Sequence, residues 1–230
     1  MLKRDGVPIT CGERRFWNLN DPSAVSYLSE KVIELISSCG FGYVKIDYNE
    51  TIGIGCDGAE SLGEGLRRQV EAYYRMLDIL RRQLPSLVIE NCSSGGHRLE
   101  PSMMTRHAMG SFSDAHECPE IPIIAANLHS LILPRQNQIW AVLKKRDDEK
   151  RLVYSLAATF LGRMCLSGEI ADLSEEQWKI VKDAMSLYFH KAAPVIRSGI
   201  TRRVSPPAVS MRHPRGYQAV LRTSHDKAEA

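Results

Sequence analysis

Two periodicities alternate along this chain, and that alternation constrains its fold more than any other feature. Asp21-Pro22 opens a helix, with Asp as the N-cap and Pro at the first helical position, where its missing N–H is not needed. Val25, Leu28, Val32, Leu35, Ile36 and Cys39 then recur at helical spacing until Gly40 ends the stripe. Tyr43-Val44-Lys45-Ile46-Asp47 is short, β-branched and aromatic, and reads as a strand with Asp47 at its carboxyl end. Leu66, Val70, Tyr73, Leu77, Leu80 and Leu84 predict a second helix, stopped by Pro85, and Leu87-Val88-Ile89-Glu90-Asn91 predicts the next strand. The pattern continues with a helix near 120–130, a strand near Gln138–Leu143, a helix near 148–161, a strand at Arg163–Leu166 and a helix over 175–190 capped by Ser174. Strands alternating with helices give a parallel sheet, either open and doubly wound or closed into a barrel. After Pro194 the chain turns rich in Arg, Pro, Ser and Thr, and Gln218–Arg222 alternates as a strand does, which predicts the start of a β-type appendage.

Composition narrows the partners. Of 230 residues, 43% are hydrophobic and 25% charged, which excludes disorder, collagen and coiled coil. Thirty basic against 27 acidic residues leave +3, with Arg67-Arg68 and Arg81-Arg82 dispersed along helices, so no nucleic-acid surface is expected. There is no apolar run of about 18 residues, and Met1–Pro8 has no apolar stretch before a small-residue cleavage site; no membrane span and a cytoplasmic location are expected. Cys11, Cys39, Cys56, Cys92, Cys118 and Cys165 are widely spread and read as reduced thiols. The nearest thing to a zinc pair, His116-x-Cys118, lacks a second pair, so no metal site is expected.

In parallel α/β folds ligands bind beyond the carboxyl ends of the strands. Three such ends carry polar residues that a fold does not require: Lys45–Glu50, Glu90–Arg98 and Ser113–Glu117. Asp47 and Asp114 are each readable as a loop acid or helix cap. As a pair across a cleft they fit glycoside hydrolysis, in which one carboxylate attacks the anomeric carbon and the other protonates the leaving oxygen. Lys45 lies two residues before Asp47 and hence on the same face of the strand, where it can donate to sugar hydroxyls and keep Asp47 ionised.

These residues also carry a resemblance. Lys45-Ile46-Asp47-Tyr48-Asn49 resembles the K-[WYI]-D-x-N nucleophile motif of glycoside hydrolase family 36, the α-galactosidase family. Glu90-Asn91-Cys92-Ser93-Ser94-Gly95-Gly96-His97-Arg98 is similar to its E-N-C-S-[GS]-G-G-x-R loop, and Ser113-Asp114 to the pair holding its acid/base. The likeness extends to Phe16–Pro22, Ala171–Gln177 and Arg212–Arg222, in family order. It implies a (β/α)₈ barrel enzyme acting by double displacement with retention on terminal α-linked galactose of oligosaccharides, with Asp47 as nucleophile and Asp114 as acid then base. Lys45, Asn49, Cys92, Gly95 and Arg98 fall where the family lines its galactose subsite. The resemblance further implies no cofactor and a homo-oligomeric parent enzyme. Ala115-His116-Glu117 departs from the family pattern after Ser113-Asp114; His116 reads equally as a partner tuning Asp114 or as a loop histidine.

Matched to a barrel of eight strands and about 250 residues, the chain accounts for roughly strands three to eight. An incomplete barrel is therefore expected over 1–196, with a truncated C-terminal β domain over 197–230. Two other readings stand beside the hydrolase: an inactive or sugar-binding fragment of such an enzyme, and a dinucleotide-binding Rossmann domain. The latter rests on Gly53-Ile54-Gly55-Cys56-Asp57-Gly58, which satisfies G-x-G-x-x-G but sits five residues beyond the strand. An active-site loop made pliable by its glycines is the plainer reading of that segment.

Overall fold

The computed structural model describes residues 1–112, 114, 119–208, 217–228 and 230. It forms two compact units: Met1–Ser93 with Thr105–His107, and Ser94–Met104 with Ala108–Ala230.

The first unit opens with two antiparallel hairpins, β1 (Lys3–Arg4) with β2 (Val7–Pro8) and β3 (Thr10–Cys11) with β4 (Arg14–Arg15). Sequence periodicity predicts neither, because a two-residue strand has no period to read. Helix α1 (Pro22–Cys39) starts at Asp21, whose carboxylate accepts from the Ser23 amide, and stops at Gly40, whose left-handed backbone returns its N–H to the Ile36 carbonyl. Strand β5 (Tyr43–Asp47), helix α2 (Leu62–Gln83) and strand β6 (Val88–Cys92) complete this βαβ unit. β5 and β6 pair in parallel, with Lys45 opposite Glu90 and Asp47 opposite Cys92.

The helices turn slightly different faces inward than their apolar stripes predict. On α1, Ser29 and Ile36 are buried while Leu35 is 57% exposed and Cys39 lies in solvent. On α2, Gly65, Gln69, Ala72, Leu77 and Leu80 are buried and Val70 is exposed. The cause on α2 is Gln69: its amide donates to the Trp17 carbonyl at 2.7 Å and accepts from the Leu19 amide at 2.8 Å, so a polar residue occupies the inward row. A separate small core joins Leu2, Phe16, Ile52 and Cys56, and fastens the opening hairpins to the long loop after β5.

The second unit runs α3 (Pro101–Met104), β7 (Met109–Ser111), α4 (Glu120–Asn127), β8 (Asn137–Leu143), α5 (Glu149–Ala158), β9 (Arg163–Gly168), α6 (Glu175–Leu187), α7 (Ala193–Ser198), β10 (Ile200–Arg203) and β11 (Val220–Thr223). β7, β8 and β9 are parallel neighbours. β8 lies between the other two, with Ile139, Ala141, Val142 and Leu143 buried, as a strand covered on both faces requires. Ile139 and Val142 pack into a cluster with Phe112, Ile121 and Ala125, while Ala141 and Leu143 join Leu152, Leu156 and Val181. α6 begins at the predicted Ser174 cap, which forms a full capping box with Gln177. The expected C-terminal strand is β11, which pairs antiparallel with β10.

Candidate active site

The period of two along β5 sets out the first half of the site. Tyr43, Lys45 and Asp47 lie exposed on one face, while Val44 and Ile46 are half-buried on the other. The parallel register brings Glu90 and Cys92 of β6 beside Lys45 and Asp47, and both β6 residues are buried to within 1%. The Lys45 ammonium sits 3.5 Å from the Glu90 carboxylate.

Asp47 itself is held by neutral donors. Asn49 Nδ2 donates to its carboxylate at 3.0 Å and the Cys92 thiol donates from the adjacent strand. Partial burial pushes the Asp47 carboxyl up, but the hydrogen bonds from Asn49 and Cys92, the charge of Lys45 and the Tyr48 amide together outweigh it. The group therefore titrates below the usual aspartate range and is a carboxylate at neutral pH. The loop that follows is fixed as well: the Tyr48 amide donates to the Cys92 carbonyl at 3.1 Å and the Ser93 hydroxyl to the Tyr48 carbonyl. Glu50 accepts from the Cys11 thiol at 2.7 Å and from Arg14 Nη1 at 2.9 Å, which ties the loop to the β3–β4 hairpin.

Gly95, Arg98 and Asp114 belong to the second unit. Ser94 (φ 43°) and Gly95 (φ 78°) are both left-handed, which turns the chain sharply after β6. Gly96 lies so close to the residue after β7 that a Cβ there would stand 2.5 Å from the Phe112 carbonyl oxygen. Only glycine at position 96 allows the chain to pass so close to Phe112. Arg98 is half-buried and Asp114 is exposed. Ser113, His116, Glu117 and Cys118 lie outside the described residues, and the readings of His116 with them.

Lys45, Asp47, Asn49 and Cys92 are thus brought together on one unit, and Gly95 and Arg98 follow Cys92 on the same loop. Sequence reasoning placed Glu50 and Glu90 in polar strand ends without giving either a role, and it missed Cys11 and Arg14. The role of Glu90 was recoverable: it precedes Cys92 by two residues, so period two places both on one face, and a charge inside a strand needs a partner.

The dinucleotide reading is overturned. Gly53–Gly58 does not make the turn from strand to helix, since β5 ends at Asp47 and α2 starts at Leu62 under a Ser61 cap. The segment is pinned rather than open to a phosphate. Arg4 donates to the carbonyls of Ile52 and Gly55, and Asp57 accepts from the amides of Asp5 and Gly6. The same contacts replace the expected pliable loop with a tethered one. Among the described residues, no three His, Cys, Asp or Glu side chains converge as a metal ion would require, and no helix is long and apolar enough to cross a membrane. The five described cysteines are free thiols.

Comparison with known proteins decides the family. A family model described as Melibiase matches residues 6–199. The chain belongs to the Melibiase family. Alpha-galactosidase of Escherichia coli is 33% identical over 90 residues, covering 39% of this chain and 12% of that protein. Probable alpha-galactosidase C of Aspergillus terreus is 26% identical over 220 residues, covering 89% of the chain and 28% of its own length. Among solved structures, a variant of the GH36 alpha-galactosidase AgaA from Geobacillus stearothermophilus, in complex with 1-deoxygalactonojirimycin, superposes with a TM-score of 0.84 at 19% identity. That match covers 98% of the chain and 32% of AgaA, and other variants of the same enzyme were solved with raffinose and stachyose. The chain thus spans from about an eighth to a third of these relatives. The resemblance to family 36 holds, and with it the fold class: an incomplete (β/α)₈ barrel, of which the described residues hold five parallel strands, followed by the antiparallel pair β10–β11.

Proposed function

We propose that this chain carries the catalytic carboxylates of a retaining α-galactosidase-type glycoside hydrolase. In this reading Asp47 attacks the anomeric carbon of a terminal α-linked galactose while Asp114 gives its proton to the departing glycosidic oxygen. A covalent glycosyl ester on Asp47 results; Asp114, now ionised, takes a proton from water, whose oxygen displaces Asp47 and releases galactose. Lys45, Asn49, Cys92, Gly95 and Arg98 line the galactose subsite, and oligosaccharides of the raffinose class are the substrates. The catalytic barrel occupies residues 1–196 and the C-terminal β domain begins at 197. The enzyme works as a homo-oligomer in the cytoplasm without metal or organic cofactor.

The observation that carries this reading is the state of Asp47. It lies at the carboxyl end of a parallel strand, exposed, ionised, and held by Asn49 and Cys92. Hydrolysis of 4-nitrophenyl α-galactoside tests it. Asp114→Ala is expected to lose roughly 10²–10⁴-fold in turnover, and Asp47→Ala at least as much. Azide is expected to restore turnover to the Asp47→Ala protein by attacking in place of the missing carboxylate. Unchanged turnover in Asp47→Ala overturns the nucleophile assignment. Because the chain covers only a fraction of its relatives, a second reading is a sugar-binding polypeptide without turnover. Saturable binding of 1-deoxygalactonojirimycin with no hydrolysis would favour it.

A further inference from the structure

Four side chains form a square on one face of the β5–β6 pair. Lys45 and Asp47 stand on β5, Glu90 and Cys92 on β6, with Lys45 opposite Glu90 and Asp47 opposite Cys92. The diagonal and lateral neighbours in such a square are all within reach of a lysine stem. Lys45 can therefore place its ammonium on Asp47 or on Glu90, and those two positions have opposite consequences for a nucleophile. An ammonium bound to Asp47 would damp its attack and occupy the side from which the sugar arrives. An ammonium bound to Glu90 leaves Asp47 clear.

We propose that Glu90 is a positioning residue that draws the Lys45 ammonium across to β6 and so keeps it off the Asp47 carboxylate. The inference rests on the reading of Asp47 as nucleophile and concerns how that nucleophile is kept available. The burial of Glu90 provides the pull. Its side chain is 2% exposed, whereas that of Lys45 is 36% exposed, and a carboxylate so buried is costly unless a cation or donors meet it. Nζ lies 3.5 Å from Oε1 of Glu90. Asp47 has its own neutral donors, Asn49 at 3.0 Å and the Cys92 thiol, and feels the Lys45 charge from a distance rather than through a direct ion pair. The other carboxylate of the loop, Glu50, is turned to Cys11 and Arg14 and does not compete for Lys45.

A double-mutant cycle on the 230-residue chain tests the proposal, read by ¹³C NMR as the titration midpoint of the Asp47 carboxyl. With Lys45 present, Glu90→Gln releases the ammonium towards Asp47, and the midpoint is expected to fall by roughly half a pH unit or more. In the Lys45→Met background the same Glu90→Gln change is expected to move it much less. Equal shifts in the two backgrounds would mean that Glu90 acts on Asp47 directly, and no shift in either would mean that it does not act at all; both overturn the proposal. Should Glu90→Gln fail to fold, Glu90→Asp keeps the charge and shortens its reach, and the midpoint is again expected to fall only while Lys45 is present. The titration needs no turnover. If Asp47→Ala retains hydrolysis, the nucleophile reading fails separately, and the cycle still reports whether Glu90 governs Lys45.

Discussion

Asp47 is acted on by burial, which favours its neutral form, and by Asn49, Cys92, Lys45 and the Tyr48 amide, which favour its charge. The donors win, and each can be removed in turn. Asn49→Ala removes the 3.0 Å bond from Nδ2, and the acid limb of kcat/KM is expected to move up by roughly half a pH unit towards the ordinary aspartate value. Cys92→Ala is expected to move it the same way, and a limb that stays put in both variants would show that neither donor holds the nucleophile. The direction follows from sign alone: weakening the contacts that favour the carboxylate raises its pKa, so more acid-side activity is lost. At this scale the sequence was legible where chemistry follows alternation, which set Lys45 and Asp47 on one face. It was opaque where side chains from distant segments meet. Nothing in the spacing of Cys11, Arg14 and Glu50 tells that a hairpin and a loop share one carboxylate.

Elements were legible in proportion to their length. α1, α2, α5 and α6 each carry three or more turns of periodic apolar residues or a capping signal, and each forms with ends close to those expected. β1 to β4 are two residues long and escape any period, and Gln69 shows why even a well-read helix can turn a different row inward. The start of α2 allows a test of its own. Ser61 caps the helix by accepting from the Glu64 amide, and the Glu64 carboxylate is gripped first by Arg67 and then by Arg68, which hold it down at about 2. A carboxyl whose folded value lies below its unfolded one adds stability above about 4.5, and loses that contribution as pH falls towards 2. Glu64→Gln is thus expected to be less stable than the parent at neutral pH, by the modest amount typical of exposed pairs, with the gap closing in acid. Urea unfolding at pH 7 and near pH 2.5 checks this, and a gap that persists in acid would assign the effect to the cap rather than to the charge.

At the scale of the whole chain, what escaped the sequence is how the residues after Pro194 are fastened within the second unit. Asn127 at the end of α4 accepts from the Ala208 amide at 3.3 Å and from Gln218 Nε2 at 2.8 Å. Arg222 on β11 donates to Thr201 Oγ1 and to the carbonyls of Phe160 and Leu161, the open end of the turn after α5. No local pattern announces such ties, because both partners look like ordinary surface polar residues in sequence. They leave His129 in an unusual place. Neither ring nitrogen has a hydrogen-bond partner, and burial, then the charges of Arg222 and Arg203, push its pKa down to about 4. Between the unfolded value near 6.5 and about 4, the unfolded chain takes up a proton that the folded one refuses. Stability is therefore expected to fall as pH drops through that window and to level off below it. The slope is at most about 1.4 kcal/mol per pH unit, and is shallower because the ring is only partly buried. His129→Gln removes the titrating group, so the stability difference between parent and variant must change across pH 4 to 6.5 and be flat above it. Parallel curves through that window would mean that the imidazole is solvated, or protonated in the folded state, and that the C-terminal strands do not close over it.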